Sequence, residues 1–205
     1  MSGSVGSAGP SLLQILGINH PGNVPGGVYP CCASVSSGAA APGATGTVYF
    51  MPFLVYFNCL PVSFGVRVSA LGAGSSFKIG VWNPDPANGL KPAGLPIMSN
   101  NTGVATTSNN TTAMATITGV YLNMGRLVWV GAKFTGTLPT VIQTNTSGLE
   151  GARFLGLGAA STGGGFTAGY SIADAYANDI SALNVVPGSL ATIANNADIA
   201  YFFGT

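Results

Sequence analysis

From residue 47 onward the chain reads as one strand-like run after another, and two of them alternate clearly between two faces. In FGVRVSA, Phe64, Val66 and Val68 fall on one face and Arg67 and Ser69 on the other. In RLVWVGAKF, Leu127, Trp129, Gly131 and Lys133 oppose Val128, Val130, Ala132 and Phe134. Runs of this kind, rich in β-branched and aromatic residues, predict strands at Val48 to Phe57, Ser63 to Ala70, Ser76 to Trp82, Pro96 to Asn100, Ala113 to Gly119, Arg126 to Phe134, Pro139 to Asn145 and Asp198 to Phe203. Gly- and Pro-rich turn signals separate them, at Leu71 to Ser75, Asn83 to Gly89 and Thr135 to Pro139. Short strands at modest spacing predict an all-β antiparallel β-sandwich, jelly-roll-like, with little helix. The one helix candidate is Ser171 to Leu183, where Ile172, Tyr176, Ile180 and Leu183 recur at helical spacing. Gly156 to Gly169 reads as a long loop, and no internal repeat is evident.

The uncharged run Val48 to Val66 is long enough to cross a bilayer as a helix. Pro52, Asn58, Pro61 and Gly65 break it, and β-branched and aromatic residues dominate. Two strands with a turn near Asn58 to Pro61 are expected instead, with no membrane insertion. Residues 1–46 follow a different pattern. Gly, Ser, Ala and Pro prevail, and the main apolar cluster is Ser11 to Ile18. Such a stretch cannot build its own core. It is expected to be an extended attachment arm that docks through Leu12, Leu13, Ile15, Leu16 and Ile18, leaving 47–205 as the sandwich domain. No basic region precedes that apolar cluster, so the general secretory route is not expected.

Composition changes the picture in one respect. Of 205 residues, 6 are Lys or Arg and 5 are Asp or Glu, for a net charge of +1. Soluble domains carry roughly 25% charged residues. Six scattered basic residues make no phosphate-binding patch, so no nucleic-acid partner is expected. A near-neutral surface favours association, so much of it is expected to be covered by other chains. The first charge is Arg67, which makes the first 66 residues the part expected to be most covered.

Candidate chemistry is thin. Cys31, Cys32 and Cys59 are odd in number and two are adjacent, so they read as thiols that pack as small hydrophobes. His20 is the single histidine and fits neither a zinc spacing nor a Ser-His-Asp arrangement. Asp174 and Asp179 are a weak candidate for a paired-carboxylate site, with Asp174 equally suited to cap the short helix. Glu150 reads as a salt-bridge partner of Arg153. The loop Asn83 to Gly89 has too few carboxylates for calcium and reads as a proline-stiffened turn. Gly163 to Gly165 lacks the Lys-Ser/Thr of a phosphate loop. Asn110 and Asn145 match the glycosylation pattern but read as part of a Thr/Asn-rich surface. No catalytic residue, metal site or cofactor is expected.

The segment order VYFMPFLVYF, PVSFGVRVSA, SSFKIGVWNPDPANGLKPAGLPI resembles a β-sandwich domain of tailed-bacteriophage virion proteins. In that family a Gly-Ile/Val-Tyr/Trp-Asn/Asp strand end leads into an Asp/Asn-Gly-Pro loop. Gly119 to Val141 resembles the family's Trp-x-Ala strand followed by Gly-x-x-Pro, with Gly131 matching only approximately. DIAYFFGT resembles its closing strand. Residues 1–46 depart from the family pattern. The resemblance implies a non-enzymatic, trimeric virion protein, assembled in the host cytoplasm, acting as a tail fibre or receptor-binding component. Its partners would be further copies of itself, tail, adaptor or major capsid proteins, and a host surface glycan or protein. Trp82, Phe166 and Tyr170 are candidate ligand-contact residues on loops. A capsid decoration protein is the alternative; a polysaccharide-degrading enzyme or a membrane β-barrel is a more distant one.

Overall fold

The computed structural model describes residues 26–31, 35–40, 42–144, 169–193 and 199–205. Twelve strands run through them: β1 (Val28–Pro30), β2 (Val35–Ala40), β3 (Thr47–Leu54), β4 (Ser63–Ala70), β5 (Ser76–Asp85), β6 (Lys91–Ala105), β7 (Thr111–Thr116), β8 (Leu127–Thr135), β9 (Thr140–Thr144), β10 (Gly169–Ala173), β11 (Ala191–Ile193) and β12 (Tyr201–Gly204). All pairings are antiparallel. β4 is the hub of the first sheet. One of its edges pairs with β7, the other with β12 and then β9, and β1 and β2 flank these. The second sheet runs β11-β10-β3-β8-β5-β6.

Strands β2 to β9 carry the topology. They give β2-β9-β4-β7 in one sheet and β3-β8-β5-β6 in the other. The chain passes from sheet to sheet at each step except the β5–β6 hairpin. This is the double-sheet jelly roll expected from the strand pattern. β1, β10, β11 and β12 enlarge its two sheets.

The apolar run at 48–66 divides as expected into β3 and β4. The Asn83–Gly89 turn holds too, but β5 runs on to Asp85 before it. Asp85 then accepts a hydrogen bond from the Ala87 amide at 2.9 Å and caps a single 3-10 turn, Pro86–Asn88, which ends on Gly89 at φ 67°. β6 is far longer than expected. Pro92, Pro96 and two register shifts are tolerated because it lies on the sheet edge.

Two further strands come from the stretch expected to be arm. β1 pairs with β12, and β2 pairs with β9. Tyr29 and Cys31 are buried in the core. Backbone pairing needs no apolar cluster, so a Gly/Ser/Ala-rich run could close the sheet unannounced. The Leu12 to Ile18 cluster and His20 lie outside the described residues.

The main core fills the space between the sheets. Phe203 of β12 is its aromatic centre, with ring centroids 5.5 Å from Tyr29, 5.1 Å from Phe53, 5.8 Å from Phe57 and 6.2 Å from Phe64. Tyr201 reaches from the first sheet to the second. Its hydroxyl donates to the Tyr49 carbonyl at 2.6 Å and accepts from the Ala132 amide at 3.1 Å, between register partners of β3 and β8. Burial pushes its phenol pKa well above the ordinary tyrosine range.

Candidate functional site

A sheet with one face on the core leaves its other face to water or to a cover. Here the outer face of the second sheet carries Val48 and Phe50 of β3, Trp82 of β5, Trp129 of β8 and Tyr170 of β10, and all are buried. The cover is the segment after β10. Ile180 and Val185 insert from it into this second apolar cluster, with Ile172, Leu183 and Leu190 packed alongside.

The cover is not the helix expected at Ser171 to Leu183. Ser171 to Ala173 belong to β10, paired with β3 on one side and β11 on the other. From there to Leu183 the chain makes turns and one 3-10 turn, Ile180–Ala182. The apolar spacing is real, but it marks residues laid onto a sheet rather than one face of a helix. Asp174 therefore caps no helix.

Polar groups fasten the cover at its charged end. Lys133 lies on the outer face of β8, where its side chain is completely buried. Its ammonium is ion-paired with Asp174 and donates to the Ala175 carbonyl at 3.0 Å and the Asn178 carbonyl at 2.9 Å. Those three acceptors match the three donors of an ammonium. Asn178 Nδ2 in turn donates to Asp174 Oδ1 at 2.7 Å. Lys78, the register partner of Lys133 on β5, also donates to the Asn178 carbonyl, at 3.0 Å. It lies 4.0 Å from Asp179 and 5.0 Å from the centre of the Tyr176 ring. Tyr176 and Ser76 share a hydroxyl hydrogen bond of 2.7 Å.

The remainder of the cover is held by backbone and indole groups. Gly94 and Val185 exchange two 2.9 Å hydrogen bonds. Asn101 accepts from the Ser181 amide and donates to its hydroxyl. Trp82 Nε1 donates to the Leu183 carbonyl of the cover at 3.4 Å, while Trp129 Nε1 donates to the Leu90 carbonyl of the β5–β6 connection at 2.7 Å.

This arrangement locks a segment down; it does not present reactive groups. Asp174 and Asp179, the candidate carboxylate pair, are each turned to a different lysine. Trp82 and Tyr170 are not loop residues. They sit in β5 and β10 under the cover, because a flat indole or phenol on a twice-covered sheet buries more area than one left in a loop. A ligand cannot stack on them in this conformation. Phe166, Glu150, Arg153, Asn145, Cys32 and Gly163 to Gly165 lie outside the described residues. Cys59 is a buried thiol whose pKa burial pushes up to about 11, so it is a poor nucleophile near neutrality. Among the described residues no three His, Cys, Asp or Glu side chains gather as a metal site. Nor is any described helix long and apolar enough to cross a membrane.

Lys78, Lys133, Tyr176 and Asn178 are the residues that sequence reasoning passed over. One signal was available for Lys133. It shares a face with Trp129 and Gly131, a poor place for a solvated charge.

No family model, no curated protein and no solved structure matches the chain.

Proposed function

We propose that the protein is a non-enzymatic structural component of a tailed-bacteriophage virion, an oligomeric jelly roll on the particle surface with a tail-fibre or receptor-binding role. The observation that carries this reading is where the few charges go. Lys78, Lys133 and Asp174 are withdrawn into the lock beneath the cover. A chain that begins with 11 charged residues is left with an even more neutral exterior. Near-neutral surfaces associate, and a surface buried between copies is one place where that is an asset. The jelly roll adds weight, since this architecture recurs in viral capsid and lectin domains, though a fold alone names no activity. Among the described residues, the Asp174 and Asp179 carboxylates face Lys133 and Lys78 at the fastened cover.

Two measurements test the reading. Sedimentation of the purified chain at micromolar concentration should give an oligomer, with a trimer expected; a stable monomer would count against it. Antibody labelling of intact particles should place the protein at the tail. Labelling across the whole capsid shell would make it a decoration protein, and absence from particles would overturn the virion role.

A further inference from the structure

We propose that the apolar segment Ser11 to Ile18 of the same chain docks on one end of its own sandwich, on a patch formed by Leu60, Val62, Val120, Tyr121 and Met124. These side chains are between 40% and 55% exposed. They come from two connections, β3–β4 and β7–β8, which the structure ties together. Cys59 and Leu122 exchange backbone hydrogen bonds of 3.0 and 2.8 Å. The Met124 amide donates to Asn58 Oδ1 at 2.8 Å, and the Ile117 amide to the Val62 carbonyl at 2.9 Å. Residues 55–62 and 117–125 contain no charged side chain. Five large apolar groups without a charge among them make a patch of the kind that marks a contact surface.

The occupant follows from where the described chain starts. Gly26 donates its amide to the Thr205 carbonyl, and Val28 is the register partner of Gly204. Gly204 in turn pairs with Ser63, and its carbonyl accepts from the Val62 amide at 2.9 Å. Residue 26 thus stands at the same end of the sandwich as the patch. Ile18 precedes Gly26 by eight residues. An extended chain of that length reaches roughly 26 Å, enough to double back across the end of the sandwich. Leu12, Leu13, Ile15, Leu16 and Ile18 match the patch in being apolar, and residues 1–25 are equally free of Lys, Arg, Asp and Glu. A short tether gives the segment a millimolar effective concentration at its own patch, ahead of any second copy in dilute solution. This docking concerns the isolated chain and does not depend on the virion reading.

Cross-linking of the full chain tests it. The variant carries Cys32→Ser with Leu16→Cys and Tyr121→Cys, all in the presence of buried Cys31 and Cys59. Mild oxidation should give a disulfide within one chain, seen as a faster-migrating monomer band on a non-reducing gel. A control with Leu16→Cys and Leu71→Cys should give none, since Leu71 closes β4 at the far end of the sandwich. A dimer band would overturn the proposal in favour of a segment supplied by a second copy. No cross-link above the control would overturn it outright. In a second full-chain variant, Leu12, Leu13, Ile15 and Leu16 are all changed to Ser. It should bind an apolar fluorescent dye severalfold more strongly at unchanged circular dichroism; unchanged dye binding would also overturn the proposal.

Discussion

Lys133 sits on a strand with both faces covered, where an ammonium costs several kcal/mol to desolvate unless an anion and further acceptors replace its water. Asp174 and two carbonyls do so. The pair is therefore poised asymmetrically. Removing one partner strands the other, whereas removing both costs far less. Asp174→Ala should destabilise the protein by about 3–5 kcal/mol in urea unfolding. Adding Lys133→Met should restore much of that loss. A single substitution costing under about 1 kcal/mol would mean that the pair is solvated rather than buried.

At the scale of elements, the second sheet works because two glycines leave room on its outer face. Gly80 and Gly131 are register partners on β5 and β8. A Cβ at Gly131 would stand 2.7 Å from Phe50 Cδ1, and one at Gly80 would stand 2.7 Å from Trp82 Cη2. The two rings occupy that floor, meeting edge to face with centroids 4.9 Å apart. Gly131→Val should cost about 1–3 kcal/mol and shift tryptophan emission to the red as Trp82 is displaced. An unchanged melting temperature and spectrum would show that the rings can move aside freely. The misplaced helix has its cause in the same packing. Ile172, Ile180 and Leu183 are apolar because they meet the second cluster, and that periodicity is silent about whether the backbone between them coils.

For the whole molecule, the sandwich takes in more of the N-terminal region than composition suggests. Removing residues 1–25 should leave cooperative unfolding intact. Removing residues 1–46 deletes β1 and β2, exposes edges of β12 and β9, and strips Tyr29 from Phe203. The loss of the Tyr29 contacts alone should cost about 3–5 kcal/mol, so the longer truncation should melt far lower or aggregate. Equal stability of the two truncations, measured by calorimetry, would show that β1 and β2 are dispensable. The sparse charges also make sense only at this scale. Lys78, Lys133 and Asp174 are internal fasteners, which leaves an exterior that is sparsely charged and rich in neutral Thr, Asn and Ser.

By itself the sequence determined the class of fold, most strand positions and which residues of β4 and β8 share a face. Strand periodicity and turn chemistry are local, and burial of alternate residues writes them directly into the chain. Only the tertiary structure decided that β1 and β2 join the first sheet, that Ser171 to Leu183 is strand and cover, and that Trp82 and Tyr170 are core. Each of these depends on a partner distant in the chain. A strand of small residues such as β2 is specified by the edge it completes. A lysine's burial is specified by an aspartate 41 residues away. The second face of a sheet becomes interior only when another segment lies across it.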